Sequence, residues 1–128
     1  LNPLNLQKMK LKDNFYTIEN ATHDADKHIF GVLLNPNHAI YAAHFPGNPI
    51  TPGACTLQMV GELAEEVVGK PLQLSCAKNV KYLAPLTPTA TPCPTFALNI
   101  RCEGNTWLVK AEVKNNEHVF AKLSLVYE

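Results

Sequence analysis

The last third of the chain alternates apolar residues with other residues in three consecutive segments. Every second residue is apolar in residues 96–102, 107–113 and 119–127. A period of two is typical of strands that bury one face of a sheet. A Gly-Asn dipeptide at 104–105 and an Asn-Asn dipeptide at 115–116 separate the segments, and both favour hairpin turns. These residues therefore predict an antiparallel meander with one solvated face.

Shorter strand patterns occur earlier in the chain. Strands are predicted over residues 15–20 and 28–34, which are rich in aromatic and β-branched residues, and over residues 72–83. A turn is expected at residues 23–26. Residues 40–42 are interpreted as a short extended piece that leads into a histidine.

One long helix is predicted between these strands. Residues 52–68 contain no proline after the first position and are apolar around most of the helix circumference, so we expect the helix to be buried against the sheet. Gly69 is expected to end it. A buried helix beside an antiparallel meander is an α+β arrangement. The apolar side is expected to include Ala54, Leu57, Val60, Gly61, Ala64 and Val67, widened by Cys55, Met59 and Leu63. The polar stripe is expected to be Gln58, Glu62, Glu65 and Glu66.

Two segments have weaker patterns. Residues 1–13 carry apolar residues at loose three-residue spacing and predict a short, helical segment that docks on the domain. Residues 85–94 are rich in proline and threonine and predict an irregular connector. The first ten residues lack the apolar core of a signal peptide.

Length and charge limit the possible partners. The chain has 128 residues, which suits a single domain spanning 1–128. Its 11 basic and 11 acidic residues cancel, and Arg101 is the only arginine, so a nucleic-acid partner is not expected. No apolar run approaches the roughly 20 residues of a membrane span, so no membrane partner is expected.

The cysteines favour a reducing compartment. Four are present, and none forms a Cys-x-x-Cys pair or has a histidine at zinc-finger spacing. We expect reduced, mostly buried cysteines and a cytoplasmic protein. They are Cys55, Cys76, Cys93 and Cys102.

A rigid segment places a histidine directly before the predicted helix. Residues 44–53 read His-Phe-Pro-Gly-Asn-Pro-Ile-Thr-Pro-Gly, with three prolines and two glycines that restrict the backbone. Pro52 suits the first turn of a helix, where a missing N–H group costs nothing. His44 therefore lies close to a helix N-terminus, where backbone N–H groups stabilise anions. A base beside an anion hole favours acyl-thioester chemistry.

The same residues carry a family resemblance. His-Phe-Pro-Gly-x-Pro-x-x-Pro-Gly resembles the motif of the 3-hydroxyacyl-acyl carrier protein dehydratases of fatty acid synthesis and their relatives, which adopt the hotdog fold. Residues 80–88, Val-Lys-Tyr-Leu-Ala-Pro-Leu-Thr-Pro, resemble a second pattern of that family. Thr89 and Ala90 replace the glycine and aspartate that often follow it. The resemblance covers residues 28–88 and implies a long central helix wrapped by a curved antiparallel sheet.

The resemblance implies roles for individual residues. His44 matches the general base that removes a proton from the carbon next to the thioester, and the N–H group of Gly53 matches the donor to the thioester carbonyl. Dehydration also needs an acid that protonates the departing hydroxyl. The residues expected to contact substrate are Phe45, Gly47, Pro52 and Ala54.

The acid is where the chain departs from the family. The family places Glu or Asp fourteen residues after the histidine, and this chain has Gln58 there. Glu62 lies one helical turn further on, where many members have glutamine. Either Glu62 has taken over as the acid or holds a water that does, or it is a solvated or helix-bridging glutamate. Loss of a general acid costs about 10²–10⁴ in rate, so the difference bears on whether the chain is active.

The resemblance also implies partners. Family members are dimers or trimers of dimers that build each site from two subunits, and the substrate arrives on the phosphopantetheine of acyl carrier protein or coenzyme A. Lys70, Lys78 and Lys81 are candidates for contacts with an acidic carrier. No cofactor and no metal are implied. The alternatives are an acyl-thioester binding protein without catalysis and an acyl thioesterase.

Overall fold

The computed structural model describes residues 9–116 and 118–128. In these ranges the strands form one sheet with the order β1-β2-β4-β5-β6-β3 and only antiparallel neighbours. The architecture is the α+β arrangement expected from the sequence. The elements are β1 (Tyr16–Asp24), β2 (Lys27–Leu34), α1 (Ala39–Ala43), α2 (Gly53–Val68), β3 (Leu74–Tyr82), β4 (Thr95–Glu103), β5 (Thr106–Asn115) and β6 (His118–Tyr127).

The predicted meander is confirmed in its position and in its alternation of buried residues. Strands β4, β5 and β6 bury alternate residues, as a period of two requires. Leu98 pairs with Ala111, which pairs with Leu123, so these three buried residues form one row on the inner face. The inner faces of the meander and helix α2 share one hydrophobic core.

Helix α2 has the predicted length, and most of its predicted apolar side faces the core, with two exceptions. Ala54 is exposed and Gly61 is half-buried, although both were assigned to the apolar side. Gly69 ends the helix in a left-handed conformation with φ of 81°, as predicted. The side chains that face the core are Cys55, Thr56, Met59, Val60, Glu62, Leu63 and Ala64.

Two local predictions were wrong. Residues 40–42 belong to helix α1 and are not extended, because the His38 ring accepts a hydrogen bond from the Ile40 N–H group at 3.0 Å and caps the helix. Strand β1 continues to Asp24, beyond the predicted end at residue 20, because its pairing with β2 extends to the Asp24–Lys27 pair. The predicted turn therefore shortens to two residues.

The cysteine prediction was wrong about burial. All four thiols are free. Only Cys55 is buried, on the inner side of α2, whereas Cys76, Cys93 and Cys102 are exposed. These three lie on the edge strand β3, in the connector before β4 and at the end of β4, where the sheet leaves them uncovered.

Part of the predicted N-terminal docking segment lies outside the described residues. Of residues 9–13, none is helical, and Leu11 is completely buried in the core. Docking is therefore confirmed for the described part, and a helix over those residues is not. No helix within residues 9–116 and 118–128 has the length and apolar character to cross a membrane.

Two buried tyrosines make stability depend on alkaline pH. Burial raises the pKa of Tyr41 and of Tyr127 to about 12, whereas both ionise at about 10 when unfolded. Because the folded pKa is the higher one, their contribution is complete below pH 10 and is lost as the pH rises from 10 to 12. We expect urea unfolding to show a loss of roughly 1 kcal/mol per tyrosine by pH 11. Burial raises the pKa of Tyr16 further still, so this residue adds to the loss, and Tyr127→Phe should remove at most about a third of the dependence. Ionisation of every tyrosine at pH 10 in the folded protein would contradict it.

Candidate functional site

The turn that follows His44 is closed by its own backbone. Phe45 and Asn48 exchange two backbone hydrogen bonds, of 3.2 and 2.9 Å, and Gly47 takes a positive φ of 74°. The Ile50 N–H group donates to the His44 carbonyl at 3.0 Å. These bonds hold the segment as one rigid unit, as its proline and glycine content predicted.

Buried contacts fix this turn to the rest of the fold. The hydroxyls of Tyr41 and Thr51 share a buried hydrogen bond of 2.7 Å. The Thr51 N–H group donates to the Leu86 carbonyl at 2.8 Å. Leu86 belongs to the second sequence motif, residues 80–88, so the two motifs pack against each other. Neither Tyr41 nor Thr51 was singled out from the sequence.

His44 and Gly53 line the same cavity. It has a volume of about 490 Å³ and also contains Pro52. The His44 ring is half-buried and stacks on Phe45 with ring centroids 4.2 Å apart. Phe45 itself is 49% exposed. Of the predicted substrate-contacting residues, Pro52 therefore lies in the cavity and Phe45 flanks the histidine.

The helix start provides a free backbone donor in this cavity. Gly53 is the first residue of α2, and Pro52 before it offers no capping side chain. The Gly53 N–H group has no acceptor among the residues that the structure describes. Such a group at the positive end of a 16-residue helix can stabilise a developing oxyanion.

Tyr82 is a neighbour that sequence reasoning did not single out. Its hydroxyl donates to the Gly53 carbonyl at 2.6 Å. A Cβ atom at position 53 would lie 2.7 Å from the Tyr82 ring, so a larger residue there would displace the ring. The signal in the sequence was the aromatic residue of the second motif, whose position opposite the helix start depends on the tertiary structure.

Gln58 and Glu62 do not share the cavity of His44 within one chain. They line a separate cavity of about 870 Å³, together with Ala54. The four residues to which catalysis was assigned are therefore divided between two cavities. Ala54 is likewise separated from Pro52, although both were expected to contact substrate.

Glu62 is buried and its carboxylate accepts four hydrogen bonds. The N–H groups of Leu11 and Lys12 donate at 2.7 and 2.9 Å. The Tyr16 hydroxyl donates at 2.9 Å, and the Gln58 amide donates at 3.0 Å. The interpretation of Glu62 as a solvated residue is therefore wrong. Both carboxylate oxygens are occupied as acceptors.

Residues 9–16, which we call the N-terminal strap, are held on the polar side of α2. Burial raises the pKa of the Tyr16 hydroxyl well above its usual range, so this group remains a donor to Glu62. Lys12 adds an ion pair with Glu66 on the next turn of the helix. Gln58 donates to the carbonyl of Met9. The strap therefore forms one wall of the cavity that contains Gln58.

A comparison with known protein families identifies the family to which the chain belongs. Residues 20–122 match the family model described as "ApeI-like: ApeI dehydratase". The chain belongs to the ApeI-like dehydratase family. A search of curated proteins found no match.

Solved structures agree with this ApeI-like assignment. The dehydratase heterocomplex ApeI:P from Xenorhabdus doucetiae is similar with a TM-score of 0.64 and 18% identity, over 86% of this chain and 95% of the other. An uncharacterised protein from Pyrococcus horikoshii has a TM-score of 0.63 and 14% identity, over 86% of this chain and 81% of the other. The dehydratase domain of the CurK module of curacin polyketide synthase has a TM-score of 0.56 and 14% identity, over 87% of this chain and 43% of the other. These similarities confirm the predicted hotdog fold.

Proposed function

We propose that this chain dehydrates a 3-hydroxyacyl thioester to the trans-2-enoyl thioester. The observation that carries the proposal is the shared cavity of His44 and the free Gly53 N–H group in a member of a dehydratase family. His44 removes a proton from C2, and the Gly53 N–H group stabilises the charge on the thioester oxygen. The electrons of the C2–H bond form the C2–C3 double bond as the C3–O bond breaks.

The departing hydroxide needs a proton, and Gln58 cannot supply one. In the proposed reaction the imidazolium formed from His44 returns the C2 proton to the hydroxide, which leaves as water. The proton balance of the reaction then requires no second acid and no cofactor. A histidine-to-phenylalanine variant of the CurK dehydratase is described as inactive, which supports the use of a histidine but does not bear on a second acid.

The proposed substrate is carried on the phosphopantetheine of acyl carrier protein or coenzyme A. Lys78 and Lys81 are exposed on β3 and are proposed to contact an acidic carrier. Turnover should be measured on 3-hydroxyacyl and enoyl thioesters of both carriers, in both directions. Interconversion without thiol release supports the proposal. Thiol release would instead indicate a thioesterase, and saturable binding alone would indicate a binding protein.

We expect the chain to assemble as a homodimer or as a trimer of dimers. Strand β3 lies at the edge of the sheet, and the exposed apolar side chains of Leu74, Tyr82 and Leu83 lie on or beside it. Assembly would also bring His44 of one subunit towards Gln58 of another, as the family resemblance implies. Light scattering should give an even multiple of 14.1 kDa.

Mixing the protein with a second dehydratase subunit identifies its partner in the assembly. The ApeI:P structure is a heterocomplex, so a different hotdog subunit is the alternative to a second copy. A stable, folded and active monomer at micromolar concentration would contradict a shared site. An inactive monomer that becomes active with a second dehydratase subunit would indicate the heteromeric form.

A further inference from the structure

The side-chain amide of Gln58 has both of its N–H hydrogens occupied. One is donated to the Met9 carbonyl and the other to Glu62, at an N–O distance of 3.0 Å. Both partners are acceptors at these contacts, so exchanging the amide nitrogen and oxygen would place an oxygen against each of them. The amide carbonyl of Gln58 has no donor among the described residues, and Gln58 lines the 870 Å³ cavity.

The Glu62 carboxylate cannot turn to release Gln58. Its oxygens also accept from the backbone N–H groups of Leu11 and Lys12 and from the Tyr16 hydroxyl. Backbone N–H groups can only donate, so these positions demand acceptor oxygens. The strap therefore fixes the carboxylate, and the carboxylate fixes the amide.

We propose that Glu62 is a positioning residue that makes position 58 a hydrogen-bond acceptor, so that the site selects acyl chains whose C3 substituent donates a hydrogen bond. Gln58 then orients the 3-hydroxyl group of the substrate, and a 3-oxo group, which has no hydrogen to donate, gains nothing there. This inference rests on the proposed function and on the proposed assembly that brings Gln58 of one subunit towards His44 of another, because it names the group of the substrate that Gln58 contacts. The exchange of amide and carboxylate relative to the family thus replaces a proton donor by a fixed acceptor.

Binding of inert ligands tests the proposal without turnover. The probes are a 3-hydroxyacyl pantetheine amide and its 3-fluoroacyl counterpart, which is of similar size and cannot donate. Titration calorimetry with the wild-type protein should show roughly 3- to 10-fold tighter binding of the hydroxyl probe, the value of one neutral hydrogen bond. Gln58→Leu should bring the ratio of the two Kd values close to one, because it removes the acceptor.

Two glutamate variants separate positioning from general stability. Glu62→Gln replaces one of the two acceptor oxygens by a donor NH2 group, so the Gln58 amide is no longer held in one orientation and the ratio should also fall towards one. Glu66→Gln is the matched control: it removes the same charge one turn further along and breaks the pair with Lys12, and it should keep the wild-type ratio. Circular dichroism establishes that each variant is folded.

Each outcome of the titration has one meaning. Equal binding of both probes by the wild-type protein, or an unchanged ratio in Gln58→Leu, overturns the acceptor role. A wild-type ratio in folded Glu62→Gln overturns the positioning role. If Glu62→Gln does not fold, Gln58→Leu still decides whether position 58 is the acceptor. Failure of the wild-type protein to bind either probe would count against the proposed function itself.

Discussion

Replacing His44 with alanine is expected to lower the dehydration rate by at least about 10², the lower end for loss of a general base. The loss should exceed this value if His44 also returns the proton to the leaving hydroxide, because one substitution then removes both proton transfers. The side chain makes no hydrogen bond with the described residues, and the turn is held by backbone bonds. The fold should therefore survive, and kcat/KM with a thermal unfolding curve measures both effects.

His118→Ala is the control for the loss of a histidine. His118 is exposed at the start of β6 and is distant in sequence from the turn of residues 44–53. It lines neither cavity described above. Its replacement should leave kcat/KM unchanged. Activity close to wild type in His44→Ala would reduce His44 to a structural turn residue and remove the basis of the proposed mechanism.

Replacing Glu62 with alanine is expected to destabilise the protein by at least about 3 kcal/mol, since a buried group that loses its partner costs about 1–3 kcal/mol. The substitution removes the acceptor of two backbone N–H groups, of the Tyr16 hydroxyl and of the Gln58 amide. Water can reach some of these donors once the strap detaches, so the full sum is not expected. Urea unfolding at a fixed protein concentration measures the difference, because assembly makes stability depend on concentration.

Smaller changes around Glu62 calibrate this effect. Tyr16→Phe removes one of the four donors and should cost about 1 kcal/mol, the usual net value of one hydrogen bond. Glu66→Gln breaks an ion pair between partly exposed side chains and should cost less than about 1 kcal/mol. A stability of Glu62→Ala within about 0.5 kcal/mol of wild type, the range of ordinary surface substitutions, would mean that the strap is not anchored by this carboxylate.

The anchoring of Glu62 bears on the alternatives left open by the sequence. A relocated general acid must carry a proton and deliver it to the substrate, whereas both oxygens of Glu62 are engaged by donors from the strap, Tyr16 and Gln58. Protonation of either oxygen would displace one of them. The geometry therefore favours an organising role for Glu62 and leaves His44 as the proposed proton carrier.

Local sequence patterns determined the elements of the fold. The period of two in residues 96–127 specified β4, β5 and β6, because a strand with one buried face places every second side chain in the core. The apolar run closed by Gly69 specified helix α2 for a similar reason. The turn of residues 44–53 could be predicted because proline fixes the backbone and glycine permits the tight conformations of a turn, wherever they occur.

Only the tertiary structure decided what surrounds these elements. Glu62 belongs to a polar stripe in the sequence, and it is buried because the strap, about fifty residues away in sequence, folds over it. Tyr82 approaches Gly53, and His44 and Gln58 line different cavities, and no local sequence pattern encodes either arrangement. Periodicity reports which face of an element is buried, and the identity of the group that covers a polar side chain depends on long-range packing. The sequence thus determined the hotdog fold and pointed to His44 as the proposed base, while the tertiary structure decided the partners of Gln58 and Glu62.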